Sequence, residues 1–149
     1  MRLALFQPDI APNAATLLRL GACLGVPVDV IEPCGFVFSD ARFRRAGMDY
    51  LDQVSLTRHA SWEAFITKLQ GRLILLTTRA ALSYTAAHYR ADDILLLGRE
   101  SAGVPDEVRA RADLAVRIPL REGLRSLNVA IAGAMVLGEA MRQTDGFSA

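Results

Sequence analysis

Five apolar runs punctuate this sequence at nearly regular spacing: LALF (3–6), VDVI (28–31), LILLT (73–77), ILLL (94–97) and LAVRI (114–118). Each is short and almost unbroken. A strand with one wet face alternates apolar and polar residues, whereas a continuous run is apolar on both faces. Such strands belong to a parallel sheet covered by helices on both sides. A weaker strand is expected at QVSLT (53–57).

Helical segments fall between the runs. Asn13 is placed to cap a helix through about Leu24, with Leu17, Leu18, Leu20 and Leu24 on its apolar side and Gly25 ending it. Ser39 or Asp40 starts a short helix that carries Arg42, Arg44 and Arg45 and stops at Gly47. Ser61 caps a helix over 62–70, stopped at Gly71, and another is expected near 82–89. Pro105 suits the first position of a helix, and Asp106 and Glu107 follow where the dipole favours acids. The last helix begins at Ser126 or Leu127 and runs to about Arg142. The alternation predicts an α/β fold, a single domain over 1–149 with a mostly parallel sheet flanked by helices.

Composition narrows the class. With 52% hydrophobic and 22% charged residues in 149, the chain is expected to be globular. No apolar run approaches the roughly 20 residues that span a bilayer. The N-terminal MRLALFQPDIAPN reads as a first strand and not a signal peptide. Cys23 and Cys34 lack CxxC spacing and read as buried or half-buried thiols of a cytoplasmic protein. His59 and His88 are too scattered for zinc, so no metal is expected. Net charge is only +1, yet every basic residue of the 17 except Lys68 is arginine. Arginine suits phosphate recognition, and a GC-rich genome produces the same bias.

In an open α/β sheet, ligands bind beyond the carboxyl ends of the strands. Three such ends carry unusual sequence: LTTRAA (76–81), LLGRESAGVP (96–105) and IPLREGLRSLN (118–128). Gly98 and Gly103 permit either close approach to a ligand or a plain strand–helix turn. The turn that holds them is not a P-loop, since no Gly-Lys-Ser/Thr follows, and there is no G-x-G-x-G after strand one. Ser126 and Asn128 are placed to cap the last helix or to bond a ligand. That helix contains Gly133 and Gly138, each costing about 1 kcal/mol relative to Ala. They suggest close approach of the sheet, a second subunit or a cofactor. Arg19 stands among leucines, where an arginine ordinarily snorkels to the surface.

The segments FQPDIAPNAATLLRL, IEPCGF, RFRRAGMDY, LTTRA, LGRESAGVP, IPL and RSLNVA, in this order, resemble the SPOUT superfamily. The closer resemblance is to its SpoU/TrmH-type branch of RNA 2′-O-methyltransferases, in particular the TrmL-like tRNA enzymes. It covers roughly Leu3 to Gln143, and IEPCGF followed by RRAGMDY is particular to the TrmL-like group. The resemblance implies a deep C-terminal trefoil knot, with knot and cofactor loops at about 73–143. It implies S-adenosylmethionine held by Leu76, Gly98, Ile118 and Ser126, with Thr77 and Leu127 beside them. It implies a homodimer joined by the first and last helices, and a catalytic group of Arg19, Glu100 and Asn128. The family gives the matching arginine the task of helping remove the ribose proton near the other subunit's cofactor. Stabilising alkoxide charge is an equally good role for it.

The implied activity is 2′-O-methylation of a wobble cytidine or uridine at tRNA position 34. Arg42, Arg44, Arg45, Arg121 and Arg125 are the expected phosphate contacts to the anticodon stem-loop. The alternatives are methylation at another tRNA or rRNA position, or a knotted RNA-binding protein without turnover. The chain departs from the family at Ala14, Ala15 and Thr16 (often NTGN), at Arg99 (often Pro) and at Gly138 (often Tyr).

Overall fold

The computed structural model describes residues 1–45 and 50–148. Seven strands form one parallel sheet: β1 (Arg2–Phe6), β2 (Val28–Ile31), β3 (Leu56–His59), β4 (Leu73–Leu76), β5 (Leu82–Ser83), β6 (Ile94–Leu97) and β7 (Leu114–Arg117). Their order across the sheet is β3-β2-β1-β6-β4-β7-β5. The helices are α1 (Ala11–Leu24), α2 (Asp40–Arg45), α3 (Trp62–Thr67), α4 (Asp106–Arg111) and α5 (Val129–Gln143).

The continuous apolar runs are explained by burial on both faces. From β1, Leu3 and Leu5 enter one core with Leu17, Leu18, Val136 and Leu137 of α1 and α5. Ala4 and Phe6 enter the other with Phe65 of α3 and Val108 of α4. β6 divides the same way, with Leu95 and Leu97 on the first side and Ile94 and Leu96 on the second. Among the described residues, no helix is long and apolar enough to cross a membrane.

Several local expectations shift. The weak strand lies at Leu56–His59, not 53–57, because residues 50–54 form a turn in which Gln53 and Val54 donate to the Tyr50 carbonyl. Its polar end is fixed by Asp29, which is buried and accepts from Arg2 Nε and bonds His59 Nε2, both at 2.8 Å. No helix forms over 82–89. Leu82 and Ser83 instead pair with Val116 and Arg117, and Ser83 Oγ accepts from the Thr85 amide, which competes with helical bonding.

Helix α3 ends at Thr67, short of the expected 70, and Pro105 is the N-cap of α4 rather than its first residue. Gly25 ends α1 at φ 65°, as expected, but α1 begins at Ala11 with Ile10 as N-cap, so Asn13 lies inside the first turn. Helix α5 begins at Val129 rather than at Ser126 or Leu127, and Asn128, one of the two expected caps, caps it. The stop expected at Gly47 lies outside the described residues. Cys23 is exposed rather than buried. Cys34 is half-buried, and burial pushes its thiol up to about 11.

Glycine in α5 has two different surroundings. A Cβ on Gly133 would lie 2.8 Å from Leu97 Cδ1 and 3.0 Å from Leu17 Cδ2, whereas one on Gly138 would meet nothing within 4 Å. The close approach at Gly133 is therefore to side chains of β6 and α1, and Gly138 has no such requirement within this chain.

Candidate functional site

Beyond the carboxyl ends of β4, β6 and β7 lies a cleft of about 800 Å³, within the size range of small-molecule sites. Its walls are the turns after those three strands and the first turns of α5. Leu76, Thr77, Gly98, Ile118, Ser126 and Leu127 all line it, so the residues expected to hold the cofactor converge although 50 positions separate the first from the last. Leu97, Leu120, Ala132 and Val136 add apolar surface between them.

The turn after β6 is built by its glycines. Arg99 and Gly103 exchange backbone hydrogen bonds of 2.9 and 2.8 Å, folding the turn back on itself. A Cβ on Gly98 would then stand 2.9 Å from the Gly103 Cα, and Gly103 itself adopts φ 62°. Both positions require glycine for closure of the turn.

A polar relay ties this turn to the N-terminal loop and to α5. Asp9 N–H donates to Glu100 Oε2 at 3.1 Å, and Glu100 N–H returns a bond to Asp9 Oδ1 at 3.2 Å. Ser101 Oγ donates to the other Asp9 oxygen. Asn13 Nδ2 donates to Glu100 Oε1 at 3.4 Å, and Asn128 Nδ2 donates to Asn13 Oδ1 at 2.9 Å. Asn128 Oδ1 caps α5 by accepting from the amides of Ala130 and Ile131. Burial, and then the hydrogen bond to Asp9, hold the Glu100 carboxyl above its ordinary value. The bond to Glu100 holds Asp9 below its own.

Of the expected catalytic group, Glu100 and Asn128 line the cleft and Arg19 does not. Arg19 is exposed on α1, its guanidinium 4.7 Å from the centre of the Tyr50 ring. Of the expected phosphate contacts, Arg125 lines the cleft and Arg121 lies in the same loop outside it. Arg42, Arg44 and Arg45 are exposed on α2, where Arg44 pairs with Asp52 and Arg45 Nε donates to the Ala41 carbonyl. Asp9 and Asn13 are site residues that the sequence reading missed. The available signal was an acid between Pro8 and Pro12 and an amide just after the second proline, directly after a strand. Among the described residues, no group of His, Cys, Asp and Glu could hold a metal ion.

The donor set fits S-adenosylmethionine. Apolar walls suit an adenine ring, strand-end main chain offers amides and carbonyls, and Thr77 and Ser126 add hydroxyls.

Comparison with known proteins points the same way. The sequence profile of the SpoU rRNA Methylase family matches residues 1–138. The chain is 62% identical over 144 residues to a tRNA (cytidine(34)-2′-O)-methyltransferase of Beijerinckia indica, covering 95% of this chain and 90% of that protein. It is 36% identical over 146 residues to the protein of that name from Escherichia coli K12, covering 96% and 93%. A structure solved in a study of 2′-OH methylation of C/U34 on tRNA superposes with TM-score 0.88 at 40% identity, covering 95% of this chain and 94% of that one. An AdoMet-bound rRNA methyltransferase from Sinorhizobium meliloti gives TM-score 0.83 at 27% identity, covering 95% of this chain and 55% of that one.

Proposed function

The chain belongs to the SpoU methylase family, and on that premise we propose that it methylates tRNA, moving a methyl group from S-adenosylmethionine to the ribose 2′-hydroxyl of a cytidine or uridine at wobble position 34. The observation that carries the reading is the match, at 62% identity over 95% of the chain, to a relative of that activity. The cleft adds support, because its lining suits the donor and its polar relay holds Glu100 and Asn128 together.

The bound donor supplies an electrophilic methyl group on a sulfonium. The chain's residues do the rest. Main chain at Leu76, Gly98 and Ile118, with Thr77, Ser126 and Leu127, would hold the donor and limit the direction of attack. The 2′-oxygen would approach in line with the carbon–sulfur bond that breaks, the thioether S-adenosylhomocysteine would leave with the bonding pair, and the hydroxyl proton would pass to solvent. Arg19 grips the adjacent phosphate and stabilises the developing alkoxide, because an arginine stays protonated in proteins. Glu100 and Asn128 keep the turn after β6 and the start of α5 in register around the reacting atoms. Arg42, Arg44, Arg45, Arg121 and Arg125 supply phosphate contacts to the anticodon stem-loop.

Arg19 stands outside its own cleft, so the reading includes a second copy. Two protomers pair through α1 and α5, where Ile10 at the N-cap of α1 and Ile131 and Met135 in the first half of α5 are exposed at 44%, 56% and 39%. The pairing brings Arg19 of one protomer to the cleft of its partner. The single catalytic domain also carries a trefoil knot, with the C-terminal segment threaded through the loop between β4 and β6. In support, Gln143 at the end of α5 accepts from the Tyr89 amide and donates to the Ala87 carbonyl, tying the last helix to that loop. The enzyme works in the cytoplasm, where its tRNA is.

The test is methyl transfer to total tRNA followed by mapping of 2′-O-methylated nucleosides. Methylation at position 34 is expected. A different methylated position would replace the wobble assignment, and RNA binding without transfer would favour a non-catalytic protein.

A further inference from the structure

The charge of the cleft exceeds what its donor requires. Its lining includes five arginines, Arg79, Arg99, Arg109, Arg117 and Arg125, against one acid, Glu100. S-adenosylmethionine carries a sulfonium and an ammonium against a single carboxylate. One carboxylate cannot pair with five guanidiniums, and the excess must answer to another ligand.

The five divide by what they touch. Arg99 lies with its guanidinium 5.6 Å from the centre of the Phe6 ring, and Arg109 pairs with Asp106 at 3.0 Å. The side chains of Arg79, Arg117 and Arg125 are exposed and have no hydrogen bond, ion pair or ring contact among the described residues. Arg117 ends β7, Arg79 lies in the turn after the neighbouring β4, and Arg125 lies in the loop that leads to α5. Three unpaired guanidinium forks thus border the mouth of one cleft. Neither Arg79 nor Arg117 was among the phosphate contacts expected from sequence.

We propose that Arg79 and Arg117 join Arg125 in a cationic rim that grips successive phosphodiesters of a single-stranded RNA loop and lowers the target ribose into the cleft. The proposal rests on the tRNA reading above and assigns its substrate contacts. Guanidinium forks match phosphate oxygens in pairs. In single strands each contact releases counterions, so affinity falls as salt rises, with a slope of about 0.7 per contact in log[salt].

The test measures binding of an anticodon stem-loop RNA by fluorescence anisotropy across a KCl series, for the full chain, R79A/R117A and R79K/R117K. Two lost contacts reduce the salt slope by about 1.4. Between about 50 and 200 mM KCl the parent then loses about sevenfold more affinity than the alanine pair. The lysine pair keeps the parental slope, and calorimetric affinity for S-adenosylmethionine stays within about twofold in all three. An unchanged slope in R79A/R117A overturns the rim and leaves the methyltransferase reading intact. A loss of donor affinity matching the loss of RNA affinity also overturns it, by assigning the arginines to the donor. If the parent protein binds no stem-loop, the tRNA reading fails and the rim with it.

Discussion

Replacing Gly133 with alanine tests how tightly α5 is seated on the floor of the cleft. The new Cβ would stand 2.8 Å from Leu97 Cδ1 and 3.0 Å from Leu17 Cδ2. Ordinary carbon–carbon contact lies near ~3.5 Å, so the two methyls must retreat by about 0.7 and 0.5 Å. Both leucines are only 2% exposed and have little room to move. Overpacking of this kind costs about 1–3 kcal/mol, and alanine returns about 1 kcal/mol of helix propensity. The net expectation is a loss of up to about 2 kcal/mol, or up to about 8 °C in melting temperature for a chain of this size. Gly138→Ala is the control. Its Cβ meets nothing within 4 Å, so the propensity term acts alone and the isolated protomer gains about 1 kcal/mol. Leu97 precedes Gly98 in the cleft wall, so G133A also weakens S-adenosylmethionine binding while G138A does not. Melting curves and calorimetric titrations of both variants provide the assay. A G133A protein that melts at or above the parent with unchanged donor affinity would refute the tight-seating argument.

Three further outcomes are expected. Arg19→Ala abolishes methyl transfer but leaves donor affinity within several-fold, since Arg19 lies outside the cleft of its own chain; normal turnover would remove Arg19 from the mechanism. Asp9→Ala removes the acceptor for the Glu100 amide and Ser101 hydroxyl and loosens the turn after β6, weakening donor binding by roughly tenfold at a worth of about 1.4 kcal/mol for such a contact; titration calorimetry that matches the parent would count against the relay. Glu100→Gln lowers activity, and its stability at pH 7 sets the removal of a half-buried carboxylate against the loss of one acceptor for the Asp9 amide or the Asn13 side chain. The carboxyl's folded-state value is raised above its ordinary 4.5, so its contribution is fully present below about 4.5 and is lost as pH rises through the raised value. Asp9 has the opposite sign, with stability present above 3.8 and lost as pH falls through its lowered value. The stability of E100Q relative to the parent should therefore fall from pH 7 towards pH 4, and a rise would show the burial argument to be wrong.

What the sequence disclosed follows from where its information was local. Strands β1, β2, β4, β6 and β7 were legible because burial on both faces writes a continuous apolar run. Strand β5 was not, because Leu82 and Ser83 are extended only where β7 offers them an edge. Strand β3 was misplaced because its end is decided by polar pairing, with His59 held by Asp29 from a strand 30 residues earlier. The cleft lining was legible through the strand ends and the family resemblance. The relay was not, because Asp9 meets Glu100 across 91 residues and Asn13 meets Asn128 across 115. Asn13 was misread as a helix cap for the same reason. Its helical position is local, but the partners of its side chain are distant.

These long-range bonds bear on how the site works. A pocket that holds its ligand by main chain cannot tune affinity one side chain at a time, because its amides and carbonyls move only when whole turns move. Its precision then depends on what fixes each turn relative to the others. Here the turn after β6 is closed on itself by the Arg99–Gly103 bonds and fastened to the N-terminal loop through Asp9. The start of α5 is fastened to the same loop through Asn128 and Asn13. Glu100 accepts from both anchors, the Asp9 amide and the Asn13 side chain, so its carboxylate is the joint at which two walls of the cleft meet. A half-buried carboxylate beside another acid is a costly joint at neutral pH. The fold tolerates it because the alternative, two turns free to drift by even 1 Å, would cost far more in the alignment of an in-line transfer. On this argument Glu100 would serve the proposed transfer chiefly by geometry, so its glutamine variant should lose rate in proportion to how far the two turns separate.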